Sequence, residues 1–402
     1  MKRKIVYVLS FSTILILLII LFVSKKEETF NVESKSIKKE NIISIMLETD
    51  EGSQEYTSSS LSTWPTDGYK FNEERSGCEN GSILSWDDTK KVVVMDGDIS
   101  DKCYVYFDIY VISLKDYVIS QYTGTQGDND IYYHDSSLAN GAGDNSYRYA
   151  GANPNNFVCF GSDASTCPDD NLYRIIGVID DKVKLIKYDY ANSNLLGTDG
   201  DYDTYMFFKS NFSNYKGKLK GVNTYYWNIS RLNIWSTSLL NKTNLNTNYI
   251  NNIGASWANK IETTTWKVGG NIWENIGTAT PSTAYKNEIT TPAESTTYDA
   301  KIGLMYVSDY GFAASPSAWT TNLSSYNSSS VTSINWMYMG IYEWTISCDL
   351  DYSDGVFRVH EDGHVNAGTA DENRTVRPSF NLISSISYVS GSGTESDPIR
   401  LS

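Results

Sequence analysis

The longest apolar run of the chain covers residues 5–23 and contains no charged side chain. A helix of about 19 residues spans roughly 28 Å, which is close to the hydrocarbon thickness of a bilayer. Residues 1–4 carry three cationic side chains ahead of the run, and this bias places that end in the cytoplasm. The pattern predicts a single-pass plasma-membrane protein with a transmembrane anchor at 5–23 and an extracellular C-terminal part.

A cleavable signal peptide has the same charged start, so removal of residues 5–23 is the alternative. Signal-peptide cores are usually about 7 to 15 residues long and end in a small-x-small cleavage site, which is missing near residues 22–26. We therefore favour an uncleaved anchor. Residues 24–42 are rich in Lys, Glu and Ser with little apolar periodicity, which predicts a stalk.

Short apolar stretches separated by turn residues follow the stalk. Alternating apolar stretches with Asp-Gly and Asn-Gly pairs between them are typical of β-strands. The predicted strands are 43–47, 83–86, 92–95 and 104–109. Residues 43–112 are therefore expected to form a small β module.

Residues 113–155 have a different pattern and are predicted to connect two folded parts. Apolar side chains at a helical spacing predict a short helix at 113–122. Residues 126–154 are so rich in Gly, Asp and Asn that we expect an irregular loop, although four tyrosines lie within it.

The remaining residues, 156–402, mix strand and helix patterns. Two apolar runs on either side of Asp180 and Asp181 predict a hairpin, and an amphipathic spacing over 234–250 predicts a helix. Other predicted strands are 157–160, 264–268, 301–307, 342–347, 356–360, 364–367 and 376–382. This mixture indicates an α+β domain with irregular loops, including a polar insertion at 315–333.

Composition excludes one class of partner and supports a folded extracellular part. The formal net charge is −15, which opposes binding to nucleic acid because phosphate recognition needs clustered Lys and Arg. Hydrophobic residues make up 40% of the chain and aromatic residues 13%, which is enough to build a core. We expect no nucleic-acid partner.

Five cysteines occur as two nearby pairs, Cys78 with Cys103 and Cys159 with Cys167, and the single Cys348. Outside the cell, two structural disulfides are expected, although spacing alone leaves the connectivity open. Neither pair has the C-x-x-C spacing of a zinc or redox site. Cys348 is either a small buried residue or a reactive thiol, and we favour burial.

Residues 360–364 match the pattern H-E-x-x-H. On a helix this pattern places two histidines on one face for zinc, with the glutamate as base. Here strand-like residues flank an Asp362-Gly363 pair, as in a β-hairpin, so we interpret the match as coincidental. A surface metallohydrolase that uses His360, Glu361 and His364 is the alternative.

Two acidic segments resemble parts of a calcium loop, because their carboxylates alternate along the chain. The candidate ligands are Asp199, Asp201, Asp203, Asp349 and Asp351. The second segment lacks the Gly at loop position six and the Glu at position twelve. We expect solvated turns, with calcium as the alternative and no other cofactor.

Three tryptophans, Trp227, Trp319 and Trp336, are candidates for an aromatic platform that binds a sugar ring or a protein. Most tryptophans of an aromatic-rich β domain are buried, so packing is the simpler interpretation. Arg377 is expected to form a structural ion pair within the closing strand.

Four motifs occur in order, namely R-I-I-G at 174–177, W-x-x-S-x-L at 235–240, W-x-x-S at 344–347 and V-R-P at 376–378. In this order they resemble an uncharacterised family of surface domains of Gram-positive gut bacteria. The resemblance covers about residues 156–402. Because that family is similar to C-type-lectin-like folds, including the formylglycine-generating enzymes, it implies such a fold here, with no catalytic residue.

The anchor and the resemblance together predict an extracellular binding or adhesion protein, not an enzyme. Its ligand would be a glycan or a protein, held by the variable loops at 190–225 and 310–340. Besides the metallohydrolase, a structural spacer in a cell-surface assembly is the other alternative.

Overall fold

The computed structural model describes residues 35–37, 41–59, 63–65, 68–98, 100–292 and 295–402. The predicted cytoplasmic segment and anchor lie outside the described residues, as does most of the predicted stalk. No helix in the described part of the chain is long and apolar enough to cross a membrane. The chain divides into two compact units, Met1–Tyr110 and Val111–Ser402. Strands dominate and helices are short, so the predicted α+β class is confirmed.

The described part of the first unit is built from short strands. These are β1 (Lys35–Ser36), β2 (Ile42–Glu48), β3 (Tyr56–Ser59), β4 (Tyr69–Phe71), β5 (Gly77–Cys78), β6 (Ile83–Asp87), β7 (Val92–Asp96) and β8 (Cys103–Ile109). One sheet has the order β3-β2-β8-β4, with β5 also paired to β8, and the other has the order β1-β7-β6. Strands β2 and β8 run parallel. The four strands predicted for this part are confirmed.

Strand β8 shows why these residues form a sheet. Cys103, Val105 and Phe107 are completely buried, whereas the residues between them are less buried, because successive side chains of a strand point to opposite faces. A disulfide joins Cys103 to Cys78, its partner across the β5–β8 pair. This is one of the two expected disulfides, with a pairing that the spacing alone left open.

The second unit is built around a six-stranded antiparallel sheet. The strands of the second unit, in chain order, are β9 (Ile131–His134), β10 (Ser146–Tyr149), β11 (Phe157–Cys159), β12 (Leu172–Ile179), β13 (Lys182–Lys187), β14 (Tyr202–Phe208), β15 (Gly221–Tyr226), β16 (Thr264–Gly269), β17 (Ser295–Ala300), β18 (Glu343–Cys348), β19 (Gly355–Val359), β20 (Val365–Thr369), β21 (Asn373–Arg374), β22 (Ser379–Asn381), β23 (Tyr388–Ser390) and β24 (Arg400–Leu401). The main sheet has the order β22-β13-β12-β10-β9, with β11 on β12. Smaller sheets are β14-β15-β21, β16-β17, β18-β19-β20 and β23-β24.

Short helical segments connect these strands. The α-helices are α1 (Leu114–Ser120), α2 (Ser193–Leu196), α3 (Ile250–Asn252), α4 (Ala255–Ala258), α5 (Trp273–Ile276), α6 (Pro281–Tyr285), α7 (Val307–Phe312) and α8 (Ser329–Thr332). Two π-helical segments are Leu240–Tyr249 and Lys286–Thr290. The 3₁₀ turns are Asp128–Asp130, Asp169–Asn171, Lys209–Asn211, Pro316–Ala318 and Leu323–Ser325. Helix α1 was predicted, and the Ser113 hydroxyl accepts from the Asp116 N–H at its start.

Three sequence-based predictions for the second unit need correction. Residues 126–154 are not a wholly irregular loop, because β9 and β10 pair with each other and β10 pairs with β12. No strand forms at 301–307, where helix α7 begins at Val307 and the Asp309 carboxylate caps its start by accepting from the Tyr306 N–H. The helix predicted at 234–250 begins only at Leu240.

The hairpin of β12 and β13 lies inside the main sheet and is confirmed. Strand β12 is buried on both faces over most of its length, which explains its nearly continuous apolar sequence. The second predicted disulfide, Cys159–Cys167, joins the end of β11 to the loop before β12.

Candidate functional site

The hairpin of β19 and β20 carries two candidate sites, one at its turn and one at its open end. Val359 pairs with Val365, and the His360 N–H donates to the His364 carbonyl at 2.8 Å, so residues 360–364 form the turn. The H-E-x-x-H segment is therefore on a hairpin, as expected, and not on a helix. At the other end, Gly355 pairs with Thr369 and follows the loop at 349–354.

Side chains from elsewhere in the unit fix the main chain of the turn. The Tyr310 hydroxyl donates to the Gly363 carbonyl at 2.7 Å, and the Tyr338 hydroxyl donates to the Glu361 carbonyl at 2.7 Å. Gly363 has φ +104°, and a Cβ atom there would lie 3.0 Å from the Tyr326 carbonyl oxygen. The turn thus requires glycine and is held in one conformation.

Two imidazoles converge on one carboxylate in this turn. The Nδ1 atoms of His360 and His364 lie 3.0 Å and 2.5 Å from the same oxygen, Oδ1 of Asp362. The rings stack with centroids 4.4 Å apart and planes inclined by 26°. Burial lowers the pKa of His360. Although burial opposes it, hydrogen bonding from His364 lowers the pKa of Asp362.

A chain of hydrogen bonds determines the tautomer of His364. The Arg358 Nε–H donates to the Asn366 side-chain oxygen at 2.9 Å, and a guanidinium can only donate. The Asn366 NH₂ group therefore faces the His364 Nε2, at 3.1 Å. Because that nitrogen accepts, neutral His364 carries its proton on Nδ1, towards Asp362.

His360 has a different neighbour. Its Nε2 lies 2.9 Å from the Tyr342 hydroxyl, which can donate or accept. The carboxylate of Glu361, the base of the H-E-x-x-H pattern, forms no hydrogen bond or salt bridge with a described residue. The group that meets both histidines is Asp362.

The other end of the hairpin borders a cleft of about 430 Å³. Trp273 from α5 and Tyr352 from the 349–354 loop line it, and their side chains are 41% and 54% exposed. Among the described tryptophans, Trp273 is the one that is exposed to this degree, whereas Tyr205 and Phe208 are about as exposed as Tyr352.

Asp349 lines the same cleft and is only 1% exposed. Its Oδ1 accepts from the Asp351 N–H at 3.1 Å, whereas its Oδ2 accepts no hydrogen bond from any described residue. Burial raises the pKa of Asp349, and the nearby N–H groups of Asp351 and Trp273 offset part of this rise. A buried acceptor without a donor costs about 1 to 3 kcal/mol, which a bound donor would recover.

The two other carboxylates of the cleft already have cationic partners. Asp354 accepts from the Arg231 Nε–H at 2.9 Å. Glu372 forms ion pairs with Arg358 and Arg374. Within the described part of the cleft, Asp349 is therefore the carboxylate that lacks a counterion.

Asn233 and Asn271 position the loop that carries Asp349 and Tyr352. The Asn233 NH₂ group donates to the Asp349 carbonyl at 2.7 Å and to the Tyr352 carbonyl at 2.9 Å. The main chain of Asn271 forms an isolated parallel β-bridge with that of Asp349, which brings α5 and Trp273 beside the loop. Sequence reasoning missed Asn233, Trp273 and Tyr352. The local sequence of Trp273, with Ile272 before it and Ile276 after it, does not distinguish it from a core tryptophan.

The three candidate tryptophans do not form an aromatic platform. Trp227, Trp319 and Trp336 are 3% exposed or less, so none offers a face to solvent. Their indole N–H groups donate to main-chain carbonyls of Thr345, Ala314 and Tyr149. All three are core residues, which is the packing interpretation given above.

The predicted acidic segments do not bring their carboxylates together. Asp201 is buried and accepts from the N–H groups of Ile229 and Leu240, whereas Asp199 and Asp203 accept from Asn248 and Asn373 respectively. Within the described ranges, the group with metal-ligand geometry is His360, Asp362 and His364. Asp351 and Asp349 are not part of it.

Comparisons with protein-family models, with curated proteins and with solved structures found no match. The resemblance to surface domains with a C-type-lectin-like fold therefore remains a hypothesis from sequence motifs. Function has to be argued from the sites themselves.

Proposed function

We propose that this chain is an extracellular binding protein, anchored in the plasma membrane by residues 5–23, whose second unit binds a glycan. The ligand would occupy the cleft beside Trp273, Tyr352 and Asp349. One observation carries the proposal: two exposed aromatic side chains line the same cleft as the buried Asp349, whose Oδ2 accepts no hydrogen bond from a described residue.

The chemistry of this cleft suits a sugar ring. A sugar presents an apolar C–H face, which packs on aromatic rings, and hydroxyl groups, which donate to acceptors. Trp273 and Tyr352 would supply the rings. A small movement of the 349–354 loop would expose Oδ2 of Asp349, which is now covered, so that it accepts from a hydroxyl. The volume of about 430 Å³ lies within the range of roughly 300 to 1,000 Å³ common for small-ligand sites.

Charge argues against a cationic ligand. Asp354 and Glu372 are already neutralised by arginines, so only Asp349 is free to attract a positive group. Burial raises the pKa of that carboxyl and weakens its preference for the charged form. A neutral, hydroxyl-rich ligand fits this arrangement better.

The location rests on the sequence and on the disulfides. Cys78–Cys103 and Cys159–Cys167 are both bonded, and such bonds persist in oxidising compartments. Together with the apolar run at 5–23, they support a C-terminal part outside the cell.

The test is an array of bacterial and host glycans probed with the full-length protein, followed by calorimetry on each positive. Tyr352→Ala should weaken binding about tenfold or more, since buried aromatic contacts dominate recognition. Tyr205→Ala is the matched control, because Tyr205 is 53% exposed on β14 and should leave binding unchanged.

Two results would overturn the proposal. An array without any positive would reject glycans as the ligand class. Positives that bind Tyr352→Ala and Trp273→Ala as tightly as the unmodified protein would place the ligand in a different part of the molecule.

A further inference from the structure

We infer that His360, Asp362 and His364 form a binding site for one divalent transition-metal ion of the zinc, nickel and copper group. The site lies at the turn of the β19–β20 hairpin and does not depend on the proposed glycan cleft. Its donor set of two imidazoles and one carboxylate is typical of ligands for these ions.

The donor atoms are already close to the spacing that a metal requires. The two Nδ1 atoms lie 3.0 Å and 2.5 Å from the Asp362 oxygen, and all three donors lie within 4.8 Å of one another. With metal bonds of about 2.0 to 2.1 Å, two ligands of a tetrahedral site are about 3.3 Å apart. Small movements of the carboxylate and of one ring would let an ion bind between the two Nδ1 atoms and the carboxylate oxygen, in place of the present hydrogen bonds.

The surroundings provide support and access. Tyr310 and Tyr338 hold the carbonyls of Gly363 and Glu361, so the turn does not have to be ordered by the ion. The His360 and His364 side chains are 22% and 21% exposed, which leaves a path for the ion and room for water as a further ligand.

The hydrogen-bond partners of the two Nε2 atoms affect the metal affinity in opposite directions. The partner of His360 favours metal binding, and the partner of His364 opposes it. An ion on Nδ1 leaves the proton on Nε2, and the Tyr342 hydroxyl can accept it from His360. Asn366 instead donates to Nε2 of His364, because Arg358 occupies its oxygen. Asn366 therefore favours the metal-free tautomer of His364.

This conflict gives a variant that should improve the site. In Asn366→Asp, one carboxylate oxygen can still accept from Arg358 while the other accepts the Nε2–H of His364. Carboxylates in this position raise the basicity of a ligating histidine, and their loss typically costs about 10 to 100-fold in metal affinity. We expect Asn366→Asp to bind zinc about tenfold more tightly.

The arrangement differs from that of an H-E-x-x-H protease. The third donor comes from inside the turn, and the Glu361 carboxylate makes no hydrogen bond to the cluster. Glu361→Gln is therefore the matched control on the same turn, and we expect it to bind zinc like the unmodified protein.

The experiment is calorimetric titration of chelator-treated, full-length protein with zinc chloride at pH 7.5. We expect one zinc ion per chain and a rise in melting temperature with zinc concentration. Asp362→Asn and His364→Gln should each lower the affinity at least about 30-fold, whereas Glu361→Gln should change it less than twofold.

Near-ultraviolet circular dichroism checks that each variant is folded. If a ligand variant unfolds, the zinc affinity of Asn366→Asp becomes the deciding measurement. This variant leaves all three ligands in place, and only zinc binding at this site predicts that its affinity rises. The inference is overturned if folded protein takes up no zinc, if zinc binding survives Asp362→Asn and His364→Gln, or if Asn366→Asp gains no affinity.

Discussion

Arg377 and Glu343 form two parallel hydrogen bonds, from Nε to Oε1 at 2.7 Å and from Nη2 to Oε2 at 2.9 Å, and both side chains are almost completely buried. Nη2 of Arg377 also donates to the Met337 carbonyl at 2.8 Å. Burial raises the pKa of Glu343 despite the adjacent guanidinium charge. The ion pair expected for Arg377 from the sequence is confirmed, and it connects the segment before β22 to strand β18.

Glu343→Gln should destabilise the second unit strongly. It leaves a buried guanidinium without its counterion, and breaking a buried pair in this way costs about 3 to 5 kcal/mol. Urea unfolding measures the change. Glu262→Gln is the matched control, because Glu262 pairs with Lys182 at 2.8 Å on the surface and should cost less than about 1 kcal/mol. Equal losses in the two variants would contradict this account.

Sequence patterns correctly predicted the strands and turns whose conformation is determined by neighbouring residues. The alternation of Cys103, Val105 and Phe107 follows from the two faces of a strand, and the Asp362-Gly363 pair marks a turn that needs positive φ at Gly363. Each signal lies within a few residues of the structure that it predicts. The strands of the first unit and the β19–β20 hairpin could therefore be placed from sequence.

The proposed cleft could not be predicted, because it depends on contacts between distant residues. Trp273 and Asp349 are brought together by the bridge between Asn271 and Asp349, and no local pattern encodes that bridge. Strand β10 was missed for a similar reason. It occurs in a polar sequence, and Arg148 within it is buried by pairing with Asp144 and Asp309 from outside the strand.

Cys348 should be unreactive in the folded protein. The side chain is buried, and burial raises the pKa of its thiol to about 12, so almost no thiolate exists near neutral pH. We expect N-ethylmaleimide at pH 7.5 to leave the native protein unmodified. In about 8 M urea without reductant, which unfolds the chain and keeps the disulfides, it should add one label per chain. Mass spectrometry of the intact chain counts the labels. Labelling of the native protein at the rate of a free peptide thiol would show that Cys348 is exposed.

Glu288 should make the second unit less stable as the pH rises. The side chain is fully buried, and burial raises the pKa of its carboxyl from 4.5 to about 7. Between these values the folded state holds a proton that the unfolded state has released. The contribution of Glu288 to stability is therefore fully present below pH 4.5 and falls by up to about 3 kcal/mol as the pH rises to about 7.

Glu288→Gln tests this dependence because an amide does not titrate. The Val307 and Ser308 N–H groups donate to different oxygens of Glu288, and the amide replaces one of these acceptors with an NH₂ group, so the absolute stability of the variant also changes. The informative quantity is the slope of unfolding free energy against pH, measured with urea at five pH values from 4.5 to 8. We expect the difference in slope between the two proteins to be confined to this window. Parallel curves would show that Glu288 does not titrate there.

Gly363→Ala should damage both the fold and the histidine turn. A methyl group there would lie 2.6 Å from Cγ2 of Thr332 at a φ of +104°, which side chains rarely adopt, so we expect a loss of about 3 kcal/mol. Gly143→Ala is the control, because Gly143 has φ +68° with no atom within 4 Å of the added carbon and should cost about 1 kcal/mol.

The two losses separate crowding from backbone conformation, since both glycines have positive φ but only Gly363 is enclosed. If the turn relaxes to admit the methyl group, the Gly363 N–H would no longer reach the His360 carbonyl, now 2.9 Å away, and the two imidazoles would part. Gly363→Ala should then lose zinc affinity along with stability, whereas Gly143→Ala should keep it. Equal stability in the two variants would mean that the turn is free to move, and the rigid support argued for the metal site would be absent.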